Sequence, residues 1–170
     1  MKSNLGIVAT IFLGMITIGP ISEAIAADKK ITKKDVPAVV LKAFEDSYPK
    51  AKVNAYLIEM EKGEKCYELE TIDGSLKRDL LYRADGSVAE VEEILTPKTV
   101  PESIAKAILM DMPKAKIIRG EKNTRDTTVF FEVLVFDGKE KVRVFLNPDG
   151  KIQKKSAMKS EKEEEKGLGK

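Results

Sequence analysis

Residues 65–74 of this 170-residue chain read KCYELETIDG, and residues 129–138 read VFFEVLVFDG. Tyr67 and Leu69 in the first stretch, and Phe131 and Val133 at the matching positions of the second, have the two-residue spacing of side chains on one face of a strand. Both end in Asp-Gly, the strongest short-range signal for a hairpin turn. The second stretch follows the first by 64 residues. Because the same spacing relates further pairs along the chain, the sequence predicts one structural unit that occurs twice.

The further pairs run from a Val-Pro step before each predicted helix to an Asp-Gly step near the end of each unit. They are Val36-Pro37 and Val100-Pro101, Pro49-Lys50-Ala51-Lys52 and Pro113-Lys114-Ala115-Lys116, and Asp85-Gly86 and Asp149-Gly150. A proline is tolerated in the first turn of a helix, and the residue before a proline is disfavoured within one. Each unit therefore predicts a helix that ends before Pro49 or Pro113 and is followed by four antiparallel strands.

Turn signals divide the rest of each unit into short strands. The predicted strands are 52–61, 65–72, 76–83 and 87–94 in the first unit, and 116–123, 127–136, 140–147 and 151–157 in the second. The side chains expected to face the helices are Tyr67, Leu69, Leu80 and Tyr82, then Phe131, Val133, Val144 and Leu146. The predicted fold class is α+β: two tandem repeats, each one helix followed by a four-stranded antiparallel sheet, with the helices on one face, joined into one domain.

Residues 1–26 have the features of a signal peptide. Lys2 provides the positive start, residues 5–18 are almost continuously apolar, and Ala24-Ile25-Ala26 supplies the small residues of a cleavage site. The alternative is that this segment is retained as a membrane anchor. The predicted organisation is a signal peptide at 1–26, repeat 1 at 27–95, repeat 2 at 96–158 and a charged tail at 159–170. This predicts a periplasmic or secreted protein with no membrane anchor after cleavage.

The composition excludes several classes of function. Lys and Arg number 30, Asp and Glu number 28, and there is no histidine. The near balance of charge argues against a nucleic-acid binder, which shows a clustered basic excess. The absence of histidine removes the commonest general base and the commonest transition-metal ligand. Cys66, the single cysteine, has no histidine to activate it. We therefore predict that the protein is not an enzyme and uses no cofactor or metal ion.

The Val-Pro step before each helix, the Tyr-Pro-Lys-Ala at 48–51, the Tyr-Glu at 67–68 and the paired Asp-Gly turns together resemble the PepSY-like family. Its members are secreted bacterial domains with a tandem architecture akin to the β-lactamase inhibitory protein. The second unit departs from the pattern at Ile108 and Met112, which keep apolar bulk. The resemblance implies a non-enzymatic periplasmic domain that binds protein or regulates a peptidase. It does not imply β-lactamase inhibition, because fold analogy does not transfer an activity.

Alternation places a second set of side chains on the sheet face that the helices leave uncovered, and we expect function there. In the second unit this set combines aromatic residues with an arginine, a composition typical of interface hot spots. The predicted partner-binding residues are Phe130, Leu134, Phe136, Arg143, Phe145, Glu68 and Glu132. Two alternatives stay open: the face packs internally, or the strand parity is shifted by one residue.

Glu68 and Glu132 occupy matching positions in the two units, and Lys77 and Lys141 lie on the next predicted strands. One interpretation is a charged recognition pair at the centre of the sheet. The other is a cross-strand ion pair in each unit, from Lys77 to Glu68 and from Lys141 to Glu132. Recurrence in both units favours the second interpretation, in which these residues belong to the scaffold.

Together these features predict a non-catalytic exported protein-binding module that uses the open sheet face and acts as a peptidase regulator or inhibitor. The alternative is a periplasmic small-ligand or envelope-stress sensor whose sheet face holds an apolar molecule. A third interpretation is self-association, in which the partner on the same face is a second copy of the chain.

Overall fold

The computed structural model describes residues 29–158. The predicted signal peptide at 1–26 and the predicted charged tail at 159–170 lie outside the described residues. The two helices within 29–158 have 10 residues each, about half the length that a membrane span requires. Accordingly, none of the helices in this part of the chain could cross a bilayer.

The described chain folds into nine strands and two α-helices. The strands are β1 (Lys29–Ile31), β2 (Lys52–Glu61), β3 (Glu64–Asp73), β4 (Leu76–Arg83), β5 (Val88–Leu95), β6 (Lys116–Arg125), β7 (Thr128–Phe136), β8 (Lys141–Leu146) and β9 (Ile152–Ala157). The helices are α1 (Ala38–Ser47) and α2 (Glu102–Asp111). All eight predicted strands are confirmed to within two residues at either end. Strand β1 is not predicted, because three residues carry too little periodicity.

All nine strands form one antiparallel sheet whose strand order follows the chain from β1 to β9. The decisive pairing joins β5 to β6, with Glu90 opposite Arg125 and Leu95 opposite Gly120. The predicted fold class is therefore wrong: the chain forms a single nine-stranded sheet with two helices, not two repeats of a helix and a four-stranded sheet. Separate sheets would leave unpaired backbone groups along the outer edges of β5 and β6, and this pairing removes both edges.

Both helices pack against the same face of the sheet. Val40 and Phe44 of α1 are buried against β3 and β4, and Ile104 and Ile108 of α2 are buried against β7 and β8. The eight side chains predicted to face the helices are all confirmed as buried. They are Tyr67, Leu69, Leu80, Tyr82, Phe131, Val133, Val144 and Leu146. Since each fully buried side chain of this kind contributes about 1.5–3 kcal/mol, the helix-covered face supplies most of the stability.

Two hairpin turns hold the helices at corresponding places. Gly86 and Gly150 both have φ of +86°. A Cβ on Gly86 would lie 3.1 Å from the carbonyl oxygen of Val39, and one on Gly150 would lie 3.3 Å from that of Ser103. Only glycine combines an easy positive φ with the space for this close approach. Each turn therefore braces one helix on the covered side.

Candidate functional site

The sheet face opposite the two helices is covered by no helix of the described chain, and we call it the open face. All seven predicted binding residues lie on the open face, six of them on strands β7 and β8. We call the five of these six other than Glu132 the aromatic patch. They are Phe130, Leu134, Phe136, Arg143 and Phe145. Phe136 is 39% exposed, and the other apolar members are half-buried. The predicted strand parity is confirmed, because the alternating residues of both strands are the ones buried under α2.

Glu132 lies within the aromatic patch and forms an ion pair with Arg143, whose Nε is 2.8 Å from Oε1 of the glutamate. Burial raises the pKa of Glu132, and the Arg143 charge opposes this effect. On β9, Lys154 lies over the ring of Phe145, with Nζ 5.8 Å from the ring centroid. A cation at this distance is attracted by the ring face. The patch therefore presents apolar rings bordered by charges that already have partners.

The predicted ion pairs from Lys77 to Glu68 and from Lys141 to Glu132 are wrong. The register places each lysine four residues along its strand from the position opposite the glutamate. Four residues of a strand span about 13 Å, which is too far for an ion pair. The sequence pattern predicts which face each side chain occupies, but not which residues stand directly opposite one another.

The seven predicted binding residues do not form one site. Glu68 lies on β3, four strands away from β7, which is about 19 Å at roughly 4.8 Å per strand. It lines instead a cavity of about 250 Å³ on the first half of the open face. The other lining residues are Glu59, Asp79, Leu81, Glu90, Glu92 and Arg125. We call this feature the acidic cavity.

The acidic cavity is not predicted from the sequence, although a signal for it is present. Glutamates stand at every second position in β3, at Glu68 and Glu70, and in β5, at Glu90 and Glu92. Read one strand at a time, this is the pattern of an ordinary solvent-facing side. Only the register of four neighbouring strands brings these carboxylates together.

The carboxylates of the acidic cavity are crowded. Burial raises the pKa of Glu92 to about 8. Four neighbouring carboxylates add to this effect, and Glu90 and Glu121 act most strongly among them. Burial also raises the pKa of Asp79, and the negative charge of Glu70 is the second largest cause of this increase. Neither Glu92 nor Asp79 has a hydrogen bond or an ion pair with another described residue. Burial and the neighbouring negative charges therefore favour the protonated form of Glu92.

Arg125 is the one cation among the residues that line the acidic cavity. Its Nε and Nη2 donate to Oε2 of Glu90 at 3.0 and 2.6 Å, and its Nη1 lies 3.6 Å from Oε1 of Glu61. The Glu90 side chain is only 6% exposed. A carboxylate buried to this extent requires a charged hydrogen-bonding partner. Arg125 is therefore bound by Glu90, and its charge also interacts with Glu92. The charges of Arg119 and Lys77 oppose the raised pKa of Asp79.

Asn123 of β6 lies between the acidic cavity and the aromatic patch. It stands opposite Glu92 on β5 and Phe130 on β7. The residue is 3% exposed, yet its side-chain amide makes no hydrogen bond with another described residue. Buried amides in folded proteins nearly always have such partners. Among the described residues, the fully enclosed side-chain atoms without a hydrogen-bond partner are Tyr82 Oη and Asn147 Oδ1, so the Asn123 amide keeps contact with solvent beside Glu92.

The arrangement offers little to covalent or metal chemistry. Cys66 is 1% exposed, it packs with Leu81 and Ala89, and burial raises the pKa of its thiol. A thiol that remains protonated is a poor nucleophile. Within residues 29–158, no three metal-ligating side chains are grouped so that they could hold a metal ion.

No family model and no curated protein matches the chain. Several solved structures share its fold. A BLIP-like protein from Bacteroides fragilis matches 74% of this chain and 88% of its own, with a TM-score of 0.59 and 15% identity. A DUF2874 family protein from Bacteroides uniformis matches 72% of this chain and 89% of its own, with a TM-score of 0.61 and 14% identity. A Bacteroides eggerthii protein, named provisionally as periplasmic, matches 72% of this chain and 88% of its own. Its TM-score is 0.60 and its identity is 13%.

At these levels of identity the likeness establishes the fold and not a ligand or a partner. The expected similarity to the architecture of the β-lactamase inhibitory protein is confirmed at the level of the fold. Membership of the PepSY-like family is not confirmed, since no family model matches. The Bacteroides eggerthii neighbour is itself named as periplasmic.

Proposed function

We propose that this protein is an exported, non-catalytic protein-binding module and that the open face is its binding surface. The observation that carries the proposal is the aromatic patch, which places partly exposed rings beside an arginine on a sheet face that no described helix covers. Contiguous exposed apolar surface on a soluble protein usually has a partner. Aromatic and arginine side chains supply most of the binding energy in protein interfaces.

Export and the lack of catalysis have separate support. A protein of the same fold is named as periplasmic, and residues 1–26 read as a signal peptide. The chain has no histidine, and its single thiol is buried. Among exported binding modules, we favour a regulator or inhibitor of a peptidase, because the resemblance to the PepSY-like family implies that role.

The test removes two rings of the aromatic patch. We expect Phe136→Ala with Phe145→Ala to abolish capture of a protein partner in a crosslinking pull-down from the exported fraction of the source cells. The free energy of unfolding should change by no more than about 1 kcal/mol, since substitutions at partly exposed positions cost little. Urea denaturation measures that change.

The matched control is Leu109→Ala with Met110→Ala on the outer side of α2, where the two side chains are 44% and 84% exposed. It removes apolar surface from the other side of the molecule, so capture should persist. Equal capture by the wild type, the patch variant and the control would overturn the proposal. A loss of several kcal/mol in the patch variant would instead assign both rings to the core.

A small-ligand sensor is the second candidate, and the acidic cavity is the observation that favours it. Its volume of about 250 Å³ exceeds the roughly 150 Å³ that accommodates a benzene ring. Its carboxylates point to a cationic ligand and not to the apolar molecule that the sequence suggests. Native mass spectrometry of the protein from the exported fraction separates the two functions: a retained small molecule supports the sensor, and a retained protein supports the binding module.

A further inference from the structure

We propose that, until another protein binds, the open faces of two copies of this chain pair with each other around a twofold axis. This inference rests on the proposed function, since it takes the open face as a protein-binding surface, and it adds how that surface is regulated. The occupant is a second copy of the chain. Each copy would cover the aromatic patch of the other, so another partner has to displace one copy before it can bind.

Strands β3, β4 and β5 form a part of the open face that we call the acidic half. It holds two cations, Lys77 and Arg83, and six carboxylates. The carboxylates are Glu64, Glu68, Glu70, Asp79, Glu90 and Glu92. Arg83 lies 3.6 Å from Glu64, and Arg125 of β6 binds Glu90 at 2.6 Å. Carboxylates therefore remain in excess after these cations are counted.

Strands β7, β8 and β9 form the basic half of the same face, which has the opposite balance of charge. Three cations, Lys141, Arg143 and Lys154, stand there against one carboxylate, Glu132. Arg143 pairs with Glu132 at 2.8 Å, whereas the two lysines form no ion pair with another residue of 29–158. Both lysines stand opposite rings of the aromatic patch in the strand register. The basic half therefore presents uncompensated cations and apolar rings together.

Twofold symmetry converts this imbalance into an attraction between identical faces. In such a dimer a region of one copy meets a different region of the other, and each of these contacts occurs twice. Consider an axis between two stacked open faces, at right angles to the line from the acidic half to the basic half. It places each acidic half on the basic half of the other copy. An axis along that line would stack like charges, which is unfavourable.

The two halves are too far apart to compensate each other within one copy. Glu70 on β3 and Lys141 on β8 are five strands apart, which is about 24 Å at roughly 4.8 Å per strand. Charges in water are largely screened beyond about 8 Å at physiological ionic strength. A second copy stacked on the face would bring each half into direct contact with the opposite charge.

The open face has the area that a stable dimer needs. Strands β2 to β9 are adjacent in the sheet and contain between 6 and 10 residues each. Eight strands at roughly 4.8 Å spacing and about 25 Å in length cover roughly 850 Å². Specific protein interfaces bury about 800 Å² on each partner. The open face alone is therefore sufficient, and no other surface is required.

Apolar surface is present on both halves of the proposed interface. On the basic half it is the aromatic patch. On the acidic side, Leu57 and Leu81 stand on either side of Glu68 in the register of β2, β3 and β4. Pairing would remove apolar surface of both copies from water, which supplies affinity. The complementary charges supply the orientation and the specificity.

Sedimentation velocity of the exported chain, over a hundredfold range of protein concentration, tests the pairing. We expect a monomer–dimer equilibrium whose dissociation constant rises at least fivefold between about 50 and 500 mM salt, since salt screens the attraction between the halves. A monomer at every concentration, or a dimer that salt does not weaken, would overturn the proposal.

Charge reversal tests which regions meet. The acid-reversed variant carries Glu64→Lys with Glu70→Lys, and the base-reversed variant carries Lys141→Glu with Lys154→Glu. Each variant alone should dimerise at least tenfold more weakly than wild type, because its two halves then carry like charges. An equimolar mixture should form mixed dimers at least as tight as those of wild type, because the reversed charges of one copy meet those of the other. Failure of the mixture to dimerise would overturn the arrangement.

The matched controls reverse the same charges on the outer side of the helices, with Glu45→Lys and Glu102→Lys in one variant and Lys42→Glu and Lys106→Glu in the other. All four side chains are at least 62% exposed, and dimerisation should stay within twofold of wild type. An equal loss in the controls would overturn the proposal. Thermal unfolding verifies that each variant is folded. Should the acid-reversed variant fold poorly, the base-reversed variant tests the pairing alone, because both of its positions are exposed.

The partner pull-down separates this inference from the proposed function. A chain that stays monomeric, yet loses capture of another protein in the Phe136 and Phe145 variant, would overturn the pairing and leave the binding module standing. A dimer that responds to charge reversal, with capture of other proteins unchanged in that variant, would keep the pairing and overturn the open face as the surface for those proteins.

Discussion

Strands β2–β4 and strands β6–β8 pair in the same way at a constant spacing of 64 residues, including the β-bulges at Val53/Ala55 and Ile117/Arg119. On the open face, however, matching positions of the two halves carry different side chains. The pairs are Glu59 and Asn123, Cys66 and Phe130, Glu70 and Leu134, Asp79 and Arg143, and Leu81 and Phe145. The same strand framework therefore supports an acidic cavity in one half and an aromatic patch in the other.

The helix-covered face behaves in the opposite way. Tyr67, Leu69 and Leu80 are matched by apolar residues of similar size in the second half. A close-packed core tolerates only substitutions that preserve volume and polarity. The open face has no helix to pack against, so its side chains can differ without cost to the core. The contrast between the halves is therefore the part of the molecule most informative about binding.

The largest expected effect concerns Arg125, which belongs to the second half by sequence but neutralises Glu90 in the first. We expect Arg125→Met to lower the free energy of unfolding by about 3 kcal/mol, because it leaves a buried carboxylate without its cation. Urea denaturation measures the change. The control is Arg119→Met, since Arg119 is 51% exposed in its pair with Glu121 and should cost under about 1 kcal/mol. Similar small losses in both variants would contradict a joining role for Arg125.

The next prediction tests the crowding of carboxylates in the first half. The pKa of Glu92 rises from 4.5 to about 8, so between these values the folded state retains a proton that the unfolded state releases. This contribution to stability is complete below about pH 4.5 and is lost as the pH rises through about 8. We expect wild type to lose on the order of 1 kcal/mol relative to Glu92→Gln between about pH 5 and pH 9, after allowance for solvent screening.

Urea denaturation at several pH values measures that difference. Glu102→Gln is the control, because its side chain is 80% exposed on α2 and its stability curve should run parallel to that of wild type. Parallel curves for wild type and Glu92→Gln would show that the carboxylates of the acidic cavity are not crowded in solution.

The smallest expected effect comes from a substitution that makes one position of the first half resemble the matching position of the second. Asp79→Arg places in the first half the residue that stands at the matching position, Arg143, in the second. We expect it to stabilise the protein by about 0.5 kcal/mol, because a cation replaces a carboxylate beside Glu70. Thermal unfolding at pH 7 measures the effect. The reciprocal Arg143→Asp should destabilise, because Glu132 loses its ion pair, and stabilisation by both substitutions would contradict the comparison.

Much of the local structure follows from the sequence. The alternation in 65–74 and 129–138, with Asp-Gly at the end of each stretch, predicts both strand bounds and buried faces, and these are confirmed. The same alternation places the rings at 130, 136 and 145 on the open face, where they lie. Their role in binding stays a prediction. Burial on one side of a strand is a local, period-two property, so one strand at a time is sufficient to predict it.

Pairing across strands is different. The ion pairs expected at Lys77 and Lys141 do not form. The pattern of one strand predicts the face of each side chain, but it does not predict the register of the hairpin. The acidic cavity is not predicted for the same reason. Its lining residues come from strands β2 to β6 and meet only when all five strands are paired in their observed registers.

Residue order along the chain was sufficient to define the strands, the turns and the side chains that lie beneath the helices, because each depends on neighbours only a few positions away. Contacts between distant segments decided the rest. The pairing of β5 with β6 made one nine-stranded sheet of the described strands, and that junction brought Arg125 to Glu90 and Asn123 to Glu92. Long-range backbone pairing is a cooperative property of the whole sheet, and no single stretch of sequence encodes it.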